Sequence, residues 1–124
     1  MKNIPIPSRP CEVVCLLPVP INTIKDGIVY LFMAVDVESE FVFGADAERG
    51  DDIEYLLKHI QRLMNNSDFN RHSGQPFTLV LHQYEEYRSQ IEALIKPKDG
   101  TLVFDSMYVA EIMAPVIESF AKSL

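Results

Sequence analysis

Two apolar runs joined by a short polar tip occupy residues 27–48, which read GIVYLFMAVDVESEFVFGADAE. The runs are rich in β-branched and aromatic residues, and polar residues 38–40 separate them, so this stretch predicts an antiparallel β-hairpin. The first strand, over residues 28–37, is apolar almost throughout, which indicates that both of its faces are covered. The rest of the chain is therefore expected to pack strand–helix units against this hairpin.

The second strand of the hairpin is predicted over residues 41–47. Side chains alternate between the two faces of a strand, so Phe41, Phe43 and Ala45 are expected on one face. A glycine inside a strand supplies no side chain for packing, and Gly44 therefore indicates either a β-bulge or a close approach of another backbone. The sequence leaves both alternatives open.

Strand and helix patterns alternate after the hairpin. Helices are predicted where apolar residues recur every three or four positions, and strands where short apolar runs lie between turn residues. The predicted elements are a strand over 12–17 ended by Pro18 and Pro20, a turn over 22–27, the two hairpin strands, a helix from Asp51 to Asn65, a strand over 77–82, a helix over 84–95 stopped by Pro97, a strand over 101–104, and a last helix capped by Asp105 or Ser106.

Three local features qualify these elements. Asp51 and Glu54 have the spacing of a capping box, with Asp in the role of Ser or Thr. Pro115 removes the hydrogen bond to the carbonyl of Glu111 and is expected to kink the last helix. Residues 67–76, SDFNRHSGQP, are predicted to be a solvated connecting loop, with a partner-binding loop as the functional alternative.

The domain organisation follows from length and element order. Residues 1–10 contain three prolines and are predicted to be an extended N-terminal arm, and residues 11–124 are predicted to be a single α/β domain. The order is βββαβαβα. Because sequential strands usually pair and crossovers are right-handed, this order predicts a five-stranded mixed sheet, an antiparallel three-strand meander plus two βα units, with three helices.

This order resembles the ribonuclease H-like fold of integrases and transposases of the DDE type. The local likeness lies in VYLFMAVDVESEFVFGADAE followed by a capped helix. Integrase cores are similar in having an apolar strand that ends near an Asp, a small-residue tip, and a strand that leads into a helix. The topology is similar from residue 12 to the C-terminus, and the motif only over the quoted passage. The later part of the chain also looks like uncharacterised bacterial domains, a likeness that implies no function.

Chemistry in the integrase family needs three carboxylates that hold two divalent ions, which activate water and stabilise the leaving oxygen. The resemblance puts the first of them on the first strand, where this chain has Leu16 and Leu17. It puts the third on the last helix, where Glu111 or Glu118 could serve. At least one ligand of the family's set is therefore missing.

The second carboxylate of the family follows the fourth strand. This chain has His82, Gln83 and Tyr84 there, and Glu85 is the nearest carboxylate. Asp36 matches the strand Asp that has no catalytic role in the family. The resemblance therefore implies a ribonuclease H-like member without the nuclease site, and we predict no catalytic, cofactor-binding or metal-binding residues.

A different acidic set remains as the alternative. Asp36 and Asp105 each lie near the end of a strand, where open α/β sheets place their ligands, and Glu111 and Asp46 are further candidates. Convergence of Asp36, Asp105 and Glu111 would favour a divalent-metal-dependent nuclease or phosphohydrolase. The structural alternative is that Asp36 begins a turn and Asp105 caps a helix.

The histidines and cysteines add no recognised site. His59, His72 and His82 do not have the spacing of metal ligands, and packing or partial burial is the expected role. Cys11 and Cys15 are four positions apart and would share one face of a strand. Buried thiols in a reducing cytoplasm are expected rather than a redox pair.

Charge and hydropathy restrict the partners. The formal net charge of −7, from 18 acidic and 11 basic residues, repels polyanions, so a nucleic acid is not expected. No apolar run reaches 18 residues, so no membrane span is predicted and a cytoplasmic location is expected. The sequence therefore predicts a non-catalytic protein-interaction or regulatory module that binds a protein partner or forms a homodimer. Apolar surface for this is expected on the last helix, at Met107, Tyr108, Met113 and Phe120.

Overall fold

A computed structural model describes residues 4–72 and 74–122 of the chain. The strands are β1 (Val13–Thr23), β2 (Gly27–Asp36), β3 (Val42–Glu48), β4 (Phe77–Leu81) and β5 (Gly100–Phe104). The α-helices are α1 (Ile53–Met64), α2 (Ser67–Asn70), α3 (Arg88–Ile95) and α4 (Ser106–Lys122), and 3₁₀ turns occupy Glu85–Tyr87 and Lys96–Lys98. Within these residues, no helix is both long enough and apolar enough to cross a membrane.

The five strands form one mixed sheet in the order β3-β2-β1-β4-β5. β2 pairs antiparallel with both β1 and β3, and β4 pairs parallel with both β1 and β5. The antiparallel meander and the two βα units predicted from the sequence are therefore confirmed, and the chain has the predicted α/β fold class.

Helices cover both faces of the sheet. On the first face, α1 and α3 pack over alternate residues of the strands, including Leu16, Phe32 and Leu79. On the second face, α4 packs over the intervening residues through Val109 and Met113. The near-continuous apolar character of β2 follows from this double coverage, since Phe32 belongs to the first face while its neighbours along the strand belong to the second.

β1 continues six residues beyond its predicted end and includes Pro18 and Pro20. The prediction that these prolines end the strand is wrong because β1 is paired on both sides only over its first part. β4 pairs with β1 only as far as Cys15, whereas β2 pairs with β1 along its whole length. A proline whose nitrogen points to an unpaired edge costs no ladder hydrogen bond, so the strand continues through both.

The hairpin of β2 and β3 contains an irregularity next to Gly44. The register shifts between Ala34 and Val35, which pair with Gly44 and Val42 respectively, so Phe43 is the extra residue of a β-bulge. The bulge alternative for Gly44 is thus confirmed. The prediction that Phe43 and Ala45 share a face is wrong because of this extra residue: Phe43 packs on the first face and Ala45 on the second.

The helices differ from the predictions mainly at their ends. α1 begins at Ile53, two residues later than predicted. Its N-cap is Asp52, which makes no side-chain capping bond, so the predicted capping box of Asp51 and Glu54 is wrong. The predicted loop contains α2, because the side chain of Asn66 accepts hydrogen bonds from two N–H groups of that helical turn. The helix predicted over residues 84–95 starts as a 3₁₀ turn, which follows Tyr84 in a left-handed conformation with φ of 83°.

The N-terminal segment is connected to the domain by several contacts. Ile4 packs against the second face, Ser8 donates two hydrogen bonds to Oε1 of Glu12, and the Arg9 guanidinium donates to the carbonyl of Pro76. Residues 4–10 have no helix or strand. The first three residues of the predicted arm lie outside the described residues.

Both cysteines are buried and reduced, as expected. They do not share a strand face, however, because Cys11 precedes β1 in a left-handed turn with φ of 65°. Cys11 packs on the first face of the sheet and Cys15 on the second. Burial raises the pKa of the Cys11 thiol to about 11 and that of Cys15 to about 12, with the nearby Asp36 carboxylate as a second cause at Cys11. Both thiols are therefore protonated near neutral pH.

Candidate functional site

The carboxylate of Asp36 is buried at the end of β2 and accepts three hydrogen bonds from protein donors. Its Oδ1 accepts a hydrogen bond from the backbone N–H of Cys11 at 2.9 Å. Its Oδ2 accepts from the hydroxyl of Ser39 at 2.6 Å and from the backbone N–H of Ser39 at 3.3 Å. Asp36 therefore organises the turn between β2 and β3 and joins it to the start of β1, which is the structural alternative stated above.

Asp105 caps α4, which is the other structural alternative. Its Oδ1 accepts a hydrogen bond from the backbone N–H of Tyr108 at 3.1 Å, and its backbone carbonyl accepts one from the backbone N–H of Val109 at 3.1 Å. One of the backbone N–H groups in the first turn of α4, which have no acceptor within the helix, is thereby satisfied.

The three acids of the alternative metal set do not converge. Strand pairing places Asp36 of β2 in one row across the sheet with Val14 of β1, Leu79 of β4 and Leu102 of β5. Asp36 is therefore three inter-strand spacings away from Leu102. Asp105 lies three residues beyond Leu102, so strand geometry separates the two α-carbons by roughly 17 Å. Glu111 is exposed on α4. Among the described residues, no three His, Cys, Asp or Glu side chains form a group that could hold a metal ion.

The positions that the integrase resemblance assigned to metal ligands carry other chemistry. Leu16 is buried on the first face of the sheet, and Leu17 packs against the second. His82 follows β4, and its Nδ1 is buried without a hydrogen-bond partner among the described residues. Its ring meets that of Tyr84 edge to face, with centroids 6.1 Å apart, and burial lowers its pKa. Glu85 is exposed in the adjoining 3₁₀ turn.

A histidine–carboxylate pair between α1 and β3 was not predicted from the sequence. Nε2 of His59 lies 2.7 Å from Oε2 of Glu48, and Lys58 forms an ion pair with the same carboxylate oxygen. The His59 ring stacks on Phe32 with centroids 4.7 Å apart. Burial lowers the pKa of His59 more than Glu48 raises it, whereas the hydrogen bond from Lys58 chiefly lowers the pKa of Glu48. The pair is therefore a neutral imidazole beside an ionised carboxylate near neutral pH.

A cavity of about 170 Å³ opens next to this pair. The ion pair of Arg62 and Asp46, with 3.1 Å between Nη1 and Oδ2, lies at its rim. Asp46 thus pairs with α1 and is not near Asp36 or Asp105 in the sheet. The cavity is lined by Leu16, Phe32, Ala34, Phe43, Gly44, Asp46, His59, Arg62, Leu63 and Asn66.

A second concave surface lies on the opposite face of the sheet, between α4 and the part of β1 and β2 that extends beyond β4. This cleft has a volume of about 220 Å³. Its lining, which defines what we call the apolar cleft, consists of Val19, Pro20, Ile21, Leu31, Met33, Ile117 and Phe120. The predicted apolar surface of α4 is thus present at Phe120 and at Met107, which is 74% exposed, but Met113 is fully buried against the sheet.

The β1–β2 turn projects from the same part of the sheet and exposes apolar side chains. Ile24 is fully exposed and Ile28 is 57% exposed. The hydroxyl of Thr23 donates to the carbonyl of Gly27 at 2.7 Å and accepts from the N–H of Asp26 at 3.0 Å, which fixes the turn. We call residues 23–28, which form the turn between β1 and β2, the hairpin tip. It is distinct from the polar tip of residues 38–40 between β2 and β3.

No protein-family model matches the chain, and no curated protein matches it. Among solved structures, the chain is similar to a chain in the cryo-electron microscopy structure of the simian T-cell lymphotropic virus intasome in complex with PP2A regulatory subunit B56 gamma. The TM-score is 0.67 at 12% sequence identity, and the alignment covers 95% of this chain and 42% of that chain. This chain therefore spans less than half the length of the chain that it matches, and at this identity the similarity concerns the fold alone.

Proposed function

We propose that the chain is a non-catalytic protein-interaction or regulatory module on a ribonuclease H-like fold that lacks the carboxylate triad. The observation that carries the proposal is the use of the acidic residues: Asp36 and Asp105 lie at distant places in the sheet, and each binds backbone N–H groups. Both carboxylates therefore have structural roles as hydrogen-bond acceptors, and neither belongs to a group of three possible metal ligands among the described residues. The fold similarity to a chain of a viral intasome structure supports the ribonuclease H-like part of the proposal.

The surface of the chain supports binding to protein. The hairpin tip exposes the aliphatic side chains of Ile24 and Ile28, and the apolar cleft is a concave surface lined mostly by partly or fully buried apolar side chains. Exposed apolar surface of this kind marks interaction sites. The net charge of −7 favours a protein over a nucleic acid as the partner. The intasome structure is also a complex with a protein, but that is a property of the intasome.

We further propose a reducing compartment, the cytoplasm, for this module. Cys11 and Cys15 are unpaired, buried, and protonated near neutral pH, and they lie on opposite faces of the sheet. They cannot form a disulfide with each other without unfolding the sheet, so an oxidising compartment offers this fold no additional stability.

The proposal is tested by metal binding and hydrolysis. Thermal unfolding of wild type, Asp105→Asn and Glu111→Gln is measured with and without Mg²⁺ and Mn²⁺. All three are also incubated with single-stranded DNA, double-stranded DNA and a small phosphodiester. We expect no metal-dependent shift of the melting temperature and no cleavage. Cleavage that requires Mn²⁺ and is lost in Glu111→Gln would replace the interaction module by the alternative nuclease or phosphohydrolase.

The interaction itself is tested with purified components. Sedimentation velocity detects self-association. Cross-linking identifies candidate partner proteins, and binding of each purified candidate to the chain is then measured. We expect saturable binding in at least one of these measurements. A chain that stays monomeric and binds none of the purified candidates contradicts the proposal.

A further inference from the structure

We propose that the turn after β4 is a proton-triggered latch: protonation of His82 moves its imidazole into solvent and releases Tyr84 from the segment before α1. The inference concerns the conformation of the chain. It goes beyond the proposed interaction function and does not depend on it. It is carried by the contacts of the two side chains, by the backbone conformation of Tyr84, and by the charges around the turn.

The hydroxyl of Tyr84 connects the two segments that precede α1 and α3. It donates a hydrogen bond to the backbone carbonyl of Asp51 at 2.6 Å, and Tyr84 itself is buried. Asp51 lies two residues before α1, whereas Tyr84 lies immediately before the 3₁₀ turn that leads into α3. The bond therefore holds the start of α1 to the start of α3.

Tyr84 occupies this position in an unfavourable backbone conformation. Its φ of 83° is left-handed, a region that residues other than Gly, Asn and Asp adopt only under strain. Three contacts oppose the strain: the hydrogen bond to Asp51, the packing of Tyr84 in the core of the first face, and an edge-to-face contact with the His82 ring at 6.1 Å between centroids. Loss of the His82 contact therefore favours the release of Tyr84.

The imidazole of His82 is half-buried, and its Nδ1 is buried without a hydrogen-bond partner among the described residues. Buried polar atoms of this kind are rare in proteins. Protonation charges the ring and makes both nitrogens donors, so Nδ1 would become a buried donor without an acceptor. An outward rotation of the ring removes that penalty because it brings Nδ1 into water. Burial lowers the pKa of His82, so the closed latch holds the neutral ring.

The segments that adjoin His82 are acidic. They are residues 51–53, its own turn 82–88, and residues 104–108, which follow the β5 partner of Leu81. Besides His82, their titratable and charged side chains are five carboxylates, one guanidinium and three phenols: Asp51, Asp52, Glu85, Glu86, Asp105, Arg88, Tyr84, Tyr87 and Tyr108. The guanidinium of Arg88 lies over the ring of Phe104 and pairs with Glu92. A protonated His82 that moves outward therefore enters a region of negative charge, which stabilises the open latch.

The experiment is native-state hydrogen exchange of the full chain at about pH 7.5 and about pH 5.5, measured for single amides by NMR and corrected for intrinsic exchange rates. The reporter amides are that of Tyr87, which donates to the carbonyl of Tyr84, and those of Tyr55 and Leu56, which donate to the carbonyl of Asp52. An opening that takes up one proton becomes up to about tenfold more populated per pH unit below about pH 6.5. We therefore expect reporter protection to fall about tenfold between the two pH values.

Three variants separate the latch from other effects of acid. His82→Phe keeps an aromatic ring beside Tyr84 but has no nitrogen to protonate, so its reporters are expected to show no acid-dependent loss of protection. Tyr84→Phe lacks the bond to Asp51 and is expected to have lowered reporter protection at both pH values. His59→Gln is the matched control, because it removes a second buried histidine that lies outside the latch. Its reporters are expected to keep the wild-type acid-dependent loss.

Equal reporter protection at both pH values in wild type overturns the inference, and so does an acid-dependent loss of wild-type size in His82→Phe. If the reporters exchanged only through unfolding of the whole chain, His59→Gln would reduce their pH dependence as well, and that result also overturns it. Should His82→Phe not fold, the comparison of wild type with His59→Gln still decides. Failure of the latch is separate from failure of the proposed function, which cleavage and binding measure.

Discussion

The backbone N–H of Cys11 donates a hydrogen bond to Oδ1 of Asp36, although the two residues are 25 positions apart in sequence. The bond joins the left-handed turn before β1 to the turn between β2 and β3. Oδ2 of the same carboxylate is bonded to Ser39. A single buried side chain thus holds together two turns at one end of the sheet.

Replacement of Asp36 is therefore expected to affect stability. Asp36→Ala leaves the N–H of Cys11 buried without an acceptor, and a buried unsatisfied group costs about 1–3 kcal/mol. With the Ser39 contacts also lost, we expect Asp36→Ala to lower the free energy of unfolding by about 2–4 kcal/mol. Asp36→Asn retains an acceptor oxygen and is expected to lose less. Urea unfolding monitored by circular dichroism measures both, and equal stability of Asp36→Ala and wild type would show that the turns do not depend on this carboxylate.

Gly100 is expected to be intolerant of any side chain. A β-carbon there would lie 2.5 Å from Cζ of Phe77 and 2.9 Å from both Cβ and the carbonyl oxygen of Ile95. The backbone of Ile95 cannot move without displacing the end of α3, so Gly100→Ala is expected to lower the free energy of unfolding by about 1–3 kcal/mol. Gly44→Ala is the matched control within a strand, because a β-carbon at Gly44 meets no atom within 4 Å. Thermal unfolding of both variants would separate the two cases, and similar losses would contradict the steric argument.

The secondary structure was largely predictable because it depends on local periodicity. The stripe of α1 lies on the buried side at Leu56, Ile60 and Leu63, as the spacing of three and four predicts. The end of β1 was not predictable in the same way. Whether Pro18 stops a strand depends on the presence of a neighbour on its nitrogen side, and that depends on the length of β4, which is far away in sequence.

The candidate sites were less predictable than the fold for a similar reason. The sequence correctly indicated the structural alternative for Asp36 and Asp105, since turn and cap residues have local signatures. The pair of His59 and Glu48 was missed because partners of His59 were sought at helical spacing within α1. Glu48 lies on β3, and the contact arises only when α1 packs across that strand. The one sequence signal available was a histidine within an otherwise apolar stripe.

The stability of the chain is expected to fall as the pH is lowered from neutral. Burial places the pKa of His59 and of His82 below the ordinary value of 6.5, so the unfolded chain binds these protons first. Their contribution is complete above about pH 6.5 and is lost as the pH falls below it, with a slope of up to about 1.4 kcal/mol per pH unit for each histidine. The lowered pKa of Glu48 adds a further loss at more acidic pH, when that carboxylate becomes protonated.

Chemical unfolding at a series of pH values between 5 and 8 measures this dependence. His59→Gln is expected to reduce the slope, and the double variant with His82→Gln is expected to reduce it further. An unchanged slope in the double variant would assign the acid sensitivity to other groups.

The open edge of β1 is expected to become a site of aggregation when its prolines are replaced. Pro20 pairs with Tyr30 of β2, and the strand keeps its register on both sides of it, so its nitrogen points away from β2 toward the unpaired edge. Pro20→Val would add a backbone donor and a β-branched side chain at that edge, where β4 supplies no partner. We expect faster growth of light scattering on warming, with little change in the unfolding free energy. Pro5→Val, in the N-terminal arm outside any strand, is the matched control and is expected to scatter like wild type. Equal scattering by Pro20→Val and Pro5→Val would show that the prolines of β1 do not protect its edge.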